Sequence, residues 1–587
     1  MELTAQTSRL SSSALHARGA LAAATLAVSM TLIPRAGPAA HPGLSRAAAF
    51  LVRPLAVTTL LLVGSSLSLN TPGGRACIGR AIARLQTAYG RSPRGHREWC
   101  VVAGICLLTV AAFDWRGIIH GFFRLDDFEF LFVARREGFF HQLTMPHGGH
   151  FLPLYRAVVF ILTRLFGPSA LPFNLTTLFS CVALLYSGCW LLGELRAGWF
   201  ALGTFVLLAW FWPGWSEFTA GYYCCVSYIM SLACGLAALA AMLQATRNCS
   251  KRWLLGSLTC AAACLGFGSV GAWIIPALVA IALATPTDDS PLSRVFARRA
   301  TVAVAIVMAL YLGILAVVFR SGGFIGQAVG PKAGAAETLA AIAGGFGGLL
   351  LNLLTPVQFS MLQTGRLIYG LQAGAFGLLA WSIGKLWSHS TPADRRLIIV
   401  LLGVVVVQLA MIVIARRPGT TGFYWPPKWT AIAHVTLVLL VALLVDRHLR
   451  LRGPAGPESA TLPLNLFALA LGVVACTPAF LNAMEVPISR ENLVRRAQAR
   501  EEATGQFRAD LELLVLKLDQ RPVVLPRCSP SALFAVLPAF EFYPLEFAVA
   551  ALPPGLARVG DATGAFDPRF QTAISTIPNL KRLYAHQ

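Results

Sequence analysis

Two adjacent carboxylates, followed by a pair of histidines, are the residues of this chain best suited to chemistry. The stretch RLDDFEFLFVARR contains Asp126 and Asp127 and comes shortly after an apolar run. Ionisable side chains are costly near a bilayer, so a cluster of them in a hydrophobic chain predicts a functional site. We expect Asp126 to act as a general base toward an attacking hydroxyl, and Asp127 to orient the substrate or contact a divalent metal ion. The alternative is a solvated acidic pair in a loop.

A second polar group follows in the stretch HGGHFLPLYR. We predict that His147, His150 and Arg156 bind substrate, because imidazole and guanidinium donors recognise phosphate and hydroxyl groups. A metal site would need a further ligand, and the sequence does not place one there. The alternative role is to anchor the start of the next helix at the membrane interface.

A later stretch, RRPGTTGFYWPPK, combines cations with aromatic rings. Arg416, Arg417, Tyr424 and Lys428 are predicted to bind substrate, because cations beside aromatic rings at headgroup depth suit the phosphate of a lipid ligand. The alternative is a basic helix end that meets anionic lipid.

The composition indicates what must position these residues. The chain has 587 residues, of which 56% are hydrophobic and 13% charged, and its mean hydropathy is +0.65. Soluble proteins carry about 25% charged residues. Uncharged runs long enough to cross a bilayer recur along the chain, so we predict an all-α polytopic membrane protein. The net charge of +22 falls mostly in short loops, as in cytoplasmic loops of membrane proteins, and no nucleic-acid partner is expected.

About eleven transmembrane helices are predicted within a core at residues 99–484. The uncharged runs lie at 99–113, 165–193, 198–216, 218–246, 253–287, 301–319, 338–365, 367–384, 397–415, 429–445 and 462–484. The run at 253–287 is too long for one helix, and its glycines predict a turn that divides it into two. The glycine-rich run at 338–365 is interpreted as a broken or re-entrant helix that does not span.

Loop charge predicts the orientation of this core. With the basic loops in the cytoplasm, the segments 114–164, 320–366 and 416–428 lie outside. The Phe-rich part of the first loop predicts a helix at the membrane interface. Residues 485–587 are predicted to form a small external α/β domain, in which RPVVLP begins a strand.

Residues 1–98 differ from the rest, with eleven Arg, no Lys and two acids. We interpret them as a disordered basic leader or as the product of a start placed too far upstream, with a targeting segment as the alternative. An extra helix at 54–74 is left open.

The motifs LDDFEF at Leu125–Phe130 and HGGHFLPLYR ending at Arg156 resemble the GT-C superfamily of membrane glycosyltransferases. The resemblance covers the architecture from Trp99 onward, although its specific motifs occupy only a short stretch. It implies a polyprenyl-phosphate-linked sugar as donor, with Asp126 and Asp127 at the acidic positions of the family. It also implies that the external loop at 416–428 binds the lipid phosphate.

The hypothesis is therefore an inverting transfer of a sugar from a polyprenyl-phosphate carrier to a hydroxyl of a glycan, lipid or protein acceptor, in a bacterial inner (plasma) membrane. No nucleotide fingerprint is present in the sequence, in agreement with such a donor. A polymerase or ligase of surface polysaccharide is the first alternative, although such enzymes rely on a large late loop. A transporter is the second, and it would predict charges at mid-membrane and repeated halves.

Overall fold

The computed structural model describes most of the chain after residue 90. The described ranges are 91–284 (without 94, 120, 124–125, 148–149, 168, 211, 213–221 and 223–224), 291–318, 334–354, 366–387, 391–416, 427–450 and 495–585 (without 496, 521, 529, 538–544, 551, 553–554 and 561–567). The leader at 1–90, the undecided helix at 54–74 and the run at 462–484 therefore lie outside the described residues.

Helices dominate the described ranges. They are α1 (His96–Ile119), α2 (Asp126–Arg136), α3 (Phe139–Thr144), α4 (Pro153–Phe166), α5 (Ala170–Glu194), α6 (Trp199–Trp210), α7 (Met230–Asn248), α8 (Lys251–Phe267), α9 (Ile274–Ala284), α10 (Pro291–Val318), α11 (Ala335–Leu354), α12 (Arg366–Trp387), α13 (Pro392–Arg416) and α14 (Pro427–Arg450). A π-helix (Cys225–Ile229) leads into α7, and a 3-10 helix (Ser269–Trp273) joins α8 to α9.

Within the described residues, five helices are long and apolar enough to cross a membrane. They cover Ala170–Glu194, Val226–Asn248, Ser293–Val318, Asp394–Val413 and Thr430–Arg447. The prediction of a multi-pass helical membrane protein is confirmed at this level. The predicted division of 253–287 is also confirmed, because the chain leaves the helical conformation at Gly268 and turns through the 3-10 helix.

The glycines between residues 344 and 348 do not break the helix, so the interruption expected at them was wrong. Residues 355–365 lie outside the described residues, and the expectation that the segment does not span stays a prediction. α11 runs without a break from Ala335 to Leu354. A Cβ atom at Gly347 would lie 3.0 Å from the side chain of Gln372, so this glycine lets α11 approach α12 closely. Small residues at helix contacts serve this purpose in membrane bundles.

Ion pairs and hydrogen bonds join several helix ends at what we call the basic end of the bundle. Arg447 lies 2.9 Å from Asp394 and donates a hydrogen bond to the carbonyl of Leu195, 3.0 Å away. Beside it, the backbone N–H of Gly198 donates to the Asp446 carboxylate at 2.8 Å. The helix ends at 194–198, 394 and 446–447 therefore meet, as expected if their basic loops share one side.

The opposite end, which we call the site end, joins α1 to α5. The side-chain amide of Asn174 donates to the carbonyls of Ile119 and Gly121, at 3.1 and 2.8 Å. These contacts satisfy carbonyl groups that the C-terminus of α1 leaves without helical partners. α1 thus continues past residue 113, where the sequence predicted that the first span ends.

Residues near the C-terminus form a small α/β unit. A helix at 497–517 (α15) precedes strand β1 (Val523–Leu525), which pairs in parallel with β2 (Ala557–Val559). The short helices α16 (Pro530–Val536), α17 (Leu545–Ala550), α18 (Pro568–Ser575) and α19 (Pro578–Leu583) complete it. The predicted strand in RPVVLP is confirmed.

Two apolar cores result from this arrangement. The larger one fills the helix bundle, and the second contains buried residues of α2 and α4 together with those of the C-terminal unit. The segment that carries the predicted acids therefore shares a core with residues near the C-terminus.

Candidate functional site

The acidic pair begins α2, which lies just beyond the C-terminus of α1. Asp126 and Asp127 occupy its first turn, and Arg135 and Arg136 occupy its last turn. Acids at a helix N-terminus and cations at its C-terminus both complement the helix dipole, so the sequence favours a helix over this interval. The structure thus places the two acids on a helix rather than in a flexible loop.

Asp127 points into the protein. Its side chain is only 2% exposed, and Oδ2 accepts a hydrogen bond of 3.1 Å from the backbone N–H of Tyr222. The side chain of Asp126 lies outside what the structure describes. Asp127 is therefore not a solvated loop acid, and it ties α2 to the segment that leads into the π-helix.

His147 and His150, the ends of the HGGH stretch, pair with each other as an antiparallel bridge. The backbone N–H of His147 donates to the carbonyl of His150 at 2.9 Å, and the N–H of His150 donates to the carbonyl of His147 at 2.7 Å. The imidazole Nδ1 of His147 lies 3.1 Å from Oε1 of Glu129 on α2. The ring of His150 lies 6.5 Å from that of Tyr228 in the π-helix.

The ring of Phe130 lies at the centre of this cluster. It contacts the rings of His147 and Tyr155, with centroids 4.6 and 4.8 Å away. The guanidinium of Arg156 lies over the same ring, 4.8 Å from its centroid, and donates a hydrogen bond of 3.4 Å to the carbonyl of Pro146. Arg156 is 1% exposed, so it does not anchor α4 at an exposed interface.

Phe128 and Phe130 of α2 face protein rather than the surface, while the interfacial position predicted for the stretch FEFLFVARREGFFHQL stays a prediction. Phe128 and Phe130 are buried in the core that the helix shares with α4 and the C-terminal unit. The exposed apolar side chains of this segment belong instead to α3 and α4, where Phe140, Leu165 and Phe166 are exposed.

The C-terminal unit contacts the outer side of α2. The Arg135 guanidinium donates hydrogen bonds to the carbonyls of Ala550 and Leu552, and the ring of Phe132 lies 4.9 Å from that of Phe547. Burial lowers the pKa of Arg135. Since the backbone carbonyls compensate for lost hydration, this cation is a fixed part of the contact.

The predicted phosphate-binding loop lies mostly outside the described residues. Arg417 and Tyr424 fall there entirely, and only the backbones of Arg416, at the end of α13, and Lys428, at the start of α14, are described. α14 begins near the site end, because its His434 ring stacks on Trp212, at 4.4 Å, beyond the end of α6. The structure brings His147 and Arg156 to the ring of Phe130 on α2, the helix whose first turn contains Asp127, but it does not test their contact with this loop.

Metal ligands are not grouped in the part of the chain that the structure covers. Among those residues, no group of three or more His, Cys, Asp or Glu side chains could hold a metal ion. The divalent metal left open by the sequence therefore gains no support from them.

Three residues of the site were missed from sequence. Glu129 could have been found, because it follows Asp126 by three residues on a helix and so shares its face. Tyr222 and Arg135 had no such signal, since each acts through a backbone contact far away in the chain.

Comparison with protein-family models, with curated proteins and with solved structures found no match to this chain.

Proposed function

We propose that this protein is an integral membrane glycosyltransferase of GT-C type, which moves a sugar from a polyprenyl-phosphate carrier to an acceptor hydroxyl with inversion. The observation that carries the proposal is the set of ionisable side chains on and beside α2: Glu129 lies 3.1 Å from His147, Arg156 lies over the ring of Phe130, and the buried Asp127 holds the backbone N–H of Tyr222. Such a concentration of ionisable groups beside apolar helices is costly and indicates function.

The chemistry assigned to the cluster follows from its residue types. Asp126 accepts the proton of the attacking hydroxyl, and Asp127 fixes the geometry of α2 by holding the backbone of residue 222. Cations stabilise the phosphate as negative charge develops on it. They are Arg156 on α4, Arg416 at the end of α13, Lys428 at the start of α14, and Arg417, which lies between these two helices in the sequence. Tyr424 belongs to the same interval of the sequence, and we assign it to substrate binding.

The wider architecture belongs to the same proposal. It includes eleven transmembrane helices, the site end on the external face of a bacterial inner membrane, and the C-terminal unit as an external domain. The contact of Arg135 with Ala550 and Leu552 supports one part of it, because α2 and the C-terminal unit must then lie on the same side.

The test is a transfer assay with purified protein in lipid nanodiscs. A panel of short-chain polyprenyl-phosphate hexoses and pentoses serves as donors, and nucleotide sugars serve as the control. The proposal expects transfer from at least one lipid-linked donor and none from the nucleotide sugars. Transport of the lipid-linked sugar without formation of a new glycosidic bond would instead support the transporter hypothesis and exclude this one.

A further inference from the structure

α8 begins at the basic end of the bundle and runs to the site end. Arg247, near the end of α7, lies 3.8 Å from Glu194 at the basic end, and α8 starts shortly afterwards at Lys251. Near the other end of α8, a Cβ atom at Gly266 would lie 2.8 Å from the side chain of Leu154 on α4. The first turn of α8 is therefore far from the candidate site.

α10 begins at the same end as α8. Ile281, near the end of α9, lines a small cavity together with Leu195, a residue of the basic end. α10 starts at Pro291, a few residues after α9 ends at Ala284, and it packs against both α8 and α9. α8 and α10 therefore run side by side in the same direction.

The register between these two helices follows from one contact. The hydroxyl of Tyr311 on α10 interacts electrostatically with the thiol of Cys264 on α8. Lys251 precedes Cys264 by 13 residues, and Arg298 precedes Tyr311 by 13 residues. Because both helices rise by about 1.5 Å per residue, Lys251 and Arg298 lie at about the same depth.

Four cations share this depth, and we call them the basic patch: Lys251, Arg252, Arg298 and Arg299. All four residues are exposed, and their side chains make no ion pair within the described ranges. Neither α8 nor α10 contains an acidic residue, and the aspartates at 288–289 lie outside the described residues. Exposed cations without acidic neighbours attract a ligand that carries negative charge.

Apolar surface adjoins the basic patch on the side toward the site end. Leu255 on α8 is 67% exposed, and Val302 and Ile306 on α10 are 59% and 54% exposed. Trp253 is partly exposed and packs on Trp190 of α5, with ring centroids 5.9 Å apart. Tryptophan is enriched at the headgroup level of membranes. Cations at this level beside exposed apolar helix faces match the two parts of a phospholipid, its headgroup and its acyl chains.

We propose that the basic patch binds an anionic phospholipid of the bilayer. The headgroup phosphate lies on the four cations, and the acyl chains follow the exposed faces of α8 and α10. Because its headgroup contacts both helices, the bound lipid stabilises their packing and hence the folded bundle. The patch lies at the opposite end of the bundle from α2, so the proposal does not depend on glycosyl transfer.

Thermal unfolding in an uncharged detergent tests the proposal, with phospholipid added in increasing amounts. The probe is dioleoyl phosphatidylglycerol, and zwitterionic dioleoyl phosphatidylcholine is the control lipid. We expect the anionic lipid to raise the unfolding temperature of the wild type in a saturable way, because it binds the folded state. Its apparent affinity should fall as salt concentration rises, since exposed charges are screened.

Variants that remove the charges of the basic patch two at a time locate the site. Lys251→Gln with Arg252→Gln changes α8, and Arg298→Gln with Arg299→Gln changes α10. Each double variant should bind phosphatidylglycerol about thirtyfold more weakly, which is roughly five- to sixfold for each cation. The unfolding transition without added lipid shows whether each variant is folded.

Two controls match these variants. Lys581→Gln with Arg582→Gln removes the same two residue types from exposed positions on α19 of the C-terminal unit, and should keep the wild-type affinity. Arg97→Gln removes an exposed cation of α1 at the basic end itself, where the neighbouring Trp99 packs against Gly193. It too should keep the wild-type affinity, whereas Arg252→Gln alone should lower it roughly fivefold.

Three results would overturn the proposal. Equal losses of affinity in Arg97→Gln and Arg252→Gln would mean that the whole basic end attracts anionic lipid diffusely. Equal stabilisation of the wild type by phosphatidylcholine or by inorganic phosphate would show that the occupant is not an anionic phospholipid. Wild-type affinity in both folded double variants of the basic patch would exclude these four cations as the site.

Discussion

The carboxylate of Asp127 accepts a hydrogen bond from the backbone N–H of Tyr222, 95 residues further along the chain, at 3.1 Å. Both partners are buried, with exposures of 2% and 6%. The contact joins α2 to the segment that precedes the π-helix and α7. It also contributes to stability, because the buried N–H of Tyr222 would carry a desolvation penalty without an acceptor. The π-helix begins at Cys225, three residues after Tyr222, and π-helical turns recur at functional sites.

Asp127→Ala is therefore expected to destabilise the fold by about 1–3 kcal/mol, because the Tyr222 N–H loses its acceptor. Asp127→Asn keeps an acceptor oxygen in the same place and should cost less. The measurement is denaturant or thermal unfolding of the detergent-solubilised variants. Equal stability of Asp127→Ala and wild type would show that the contact does not hold this part of the fold.

The architecture was more predictable than the site. The hydropathy of the sequence predicted the apolar helices, and the positions of the glycines predicted the turn at Gly268. These two features could be predicted because each depends on the local sequence. The same reasoning failed at 338–354, where the glycines serve close helix packing rather than a break. Composition also did not show that Phe128 and Phe130 of α2 belong to a protein core, because it cannot tell a lipid surface from a protein interior.

The features that could not be predicted from the sequence are contacts between distant parts of the chain. Asp127 with Tyr222 and Arg135 with Ala550 join residues that are 95 and 415 positions apart. The periodicity of apolar residues along the sequence cannot predict pairs so far apart in the chain. The acids were therefore identified by type, while the groups that hold them were found only from the structure.

Arg135 is expected to hold the C-terminal unit against α2. Arg135→Met removes the donors to Ala550 and Leu552 while keeping an apolar stem of similar length. Hydrogen bonds to charged groups contribute about 1.5–3 kcal/mol to stability. The contact between α2 and the C-terminal unit should therefore open more often in the variant than in wild type. Limited proteolysis should then cleave within 495–585 faster than in wild type.

Arg136→Gln is the matched control for that experiment. Its side chain is 70% exposed, lies 3.6 Å from Glu137, and holds its guanidinium 5.8 Å from the centroid of the Phe132 ring, without a hydrogen bond to Ala550 or Leu552 among the described contacts. Exposed ion pairs contribute little, so its proteolysis rate should equal that of wild type. Equal rates for Arg135→Met and Arg136→Gln would contradict the proposed role of Arg135.

The pair of Asp394 and Arg447 is expected to stabilise the basic end of the bundle. Each side chain is about one-fifth exposed, and Arg447 also donates to the carbonyl of Leu195. Asp394→Asn should cost about 1 kcal/mol, since a partly exposed pair is screened by solvent, and Arg447→Met should cost more. A double-mutant cycle measures the coupling, and a coupling of zero would mean that the two residues act independently.

Gly188 is expected to be required for the contact between α5 and α6. A Cβ atom there would overlap the ring of Phe205, so Gly188→Ala should destabilise the bundle by about 1–3 kcal/mol. Gly203 on α6 provides the control, because a Cβ atom at this position would have no other heavy atom within 4 Å. Gly203→Ala should be neutral or slightly stabilising in the same thermal unfolding assay. Similar losses in both variants would point to helix geometry rather than to this contact.

The most direct test of the account is the rate of sugar transfer by Asp126→Asn, measured with the lipid-linked donor that the wild type uses. Loss of a general base is expected to lower kcat by about a hundredfold or more, with the variant folded as judged by its unfolding transition. Glu137→Gln removes an acid just beyond α2 and should retain the wild-type rate. Full activity of a folded Asp126→Asn variant would contradict the assignment of Asp126 as the base and the mechanism built on it.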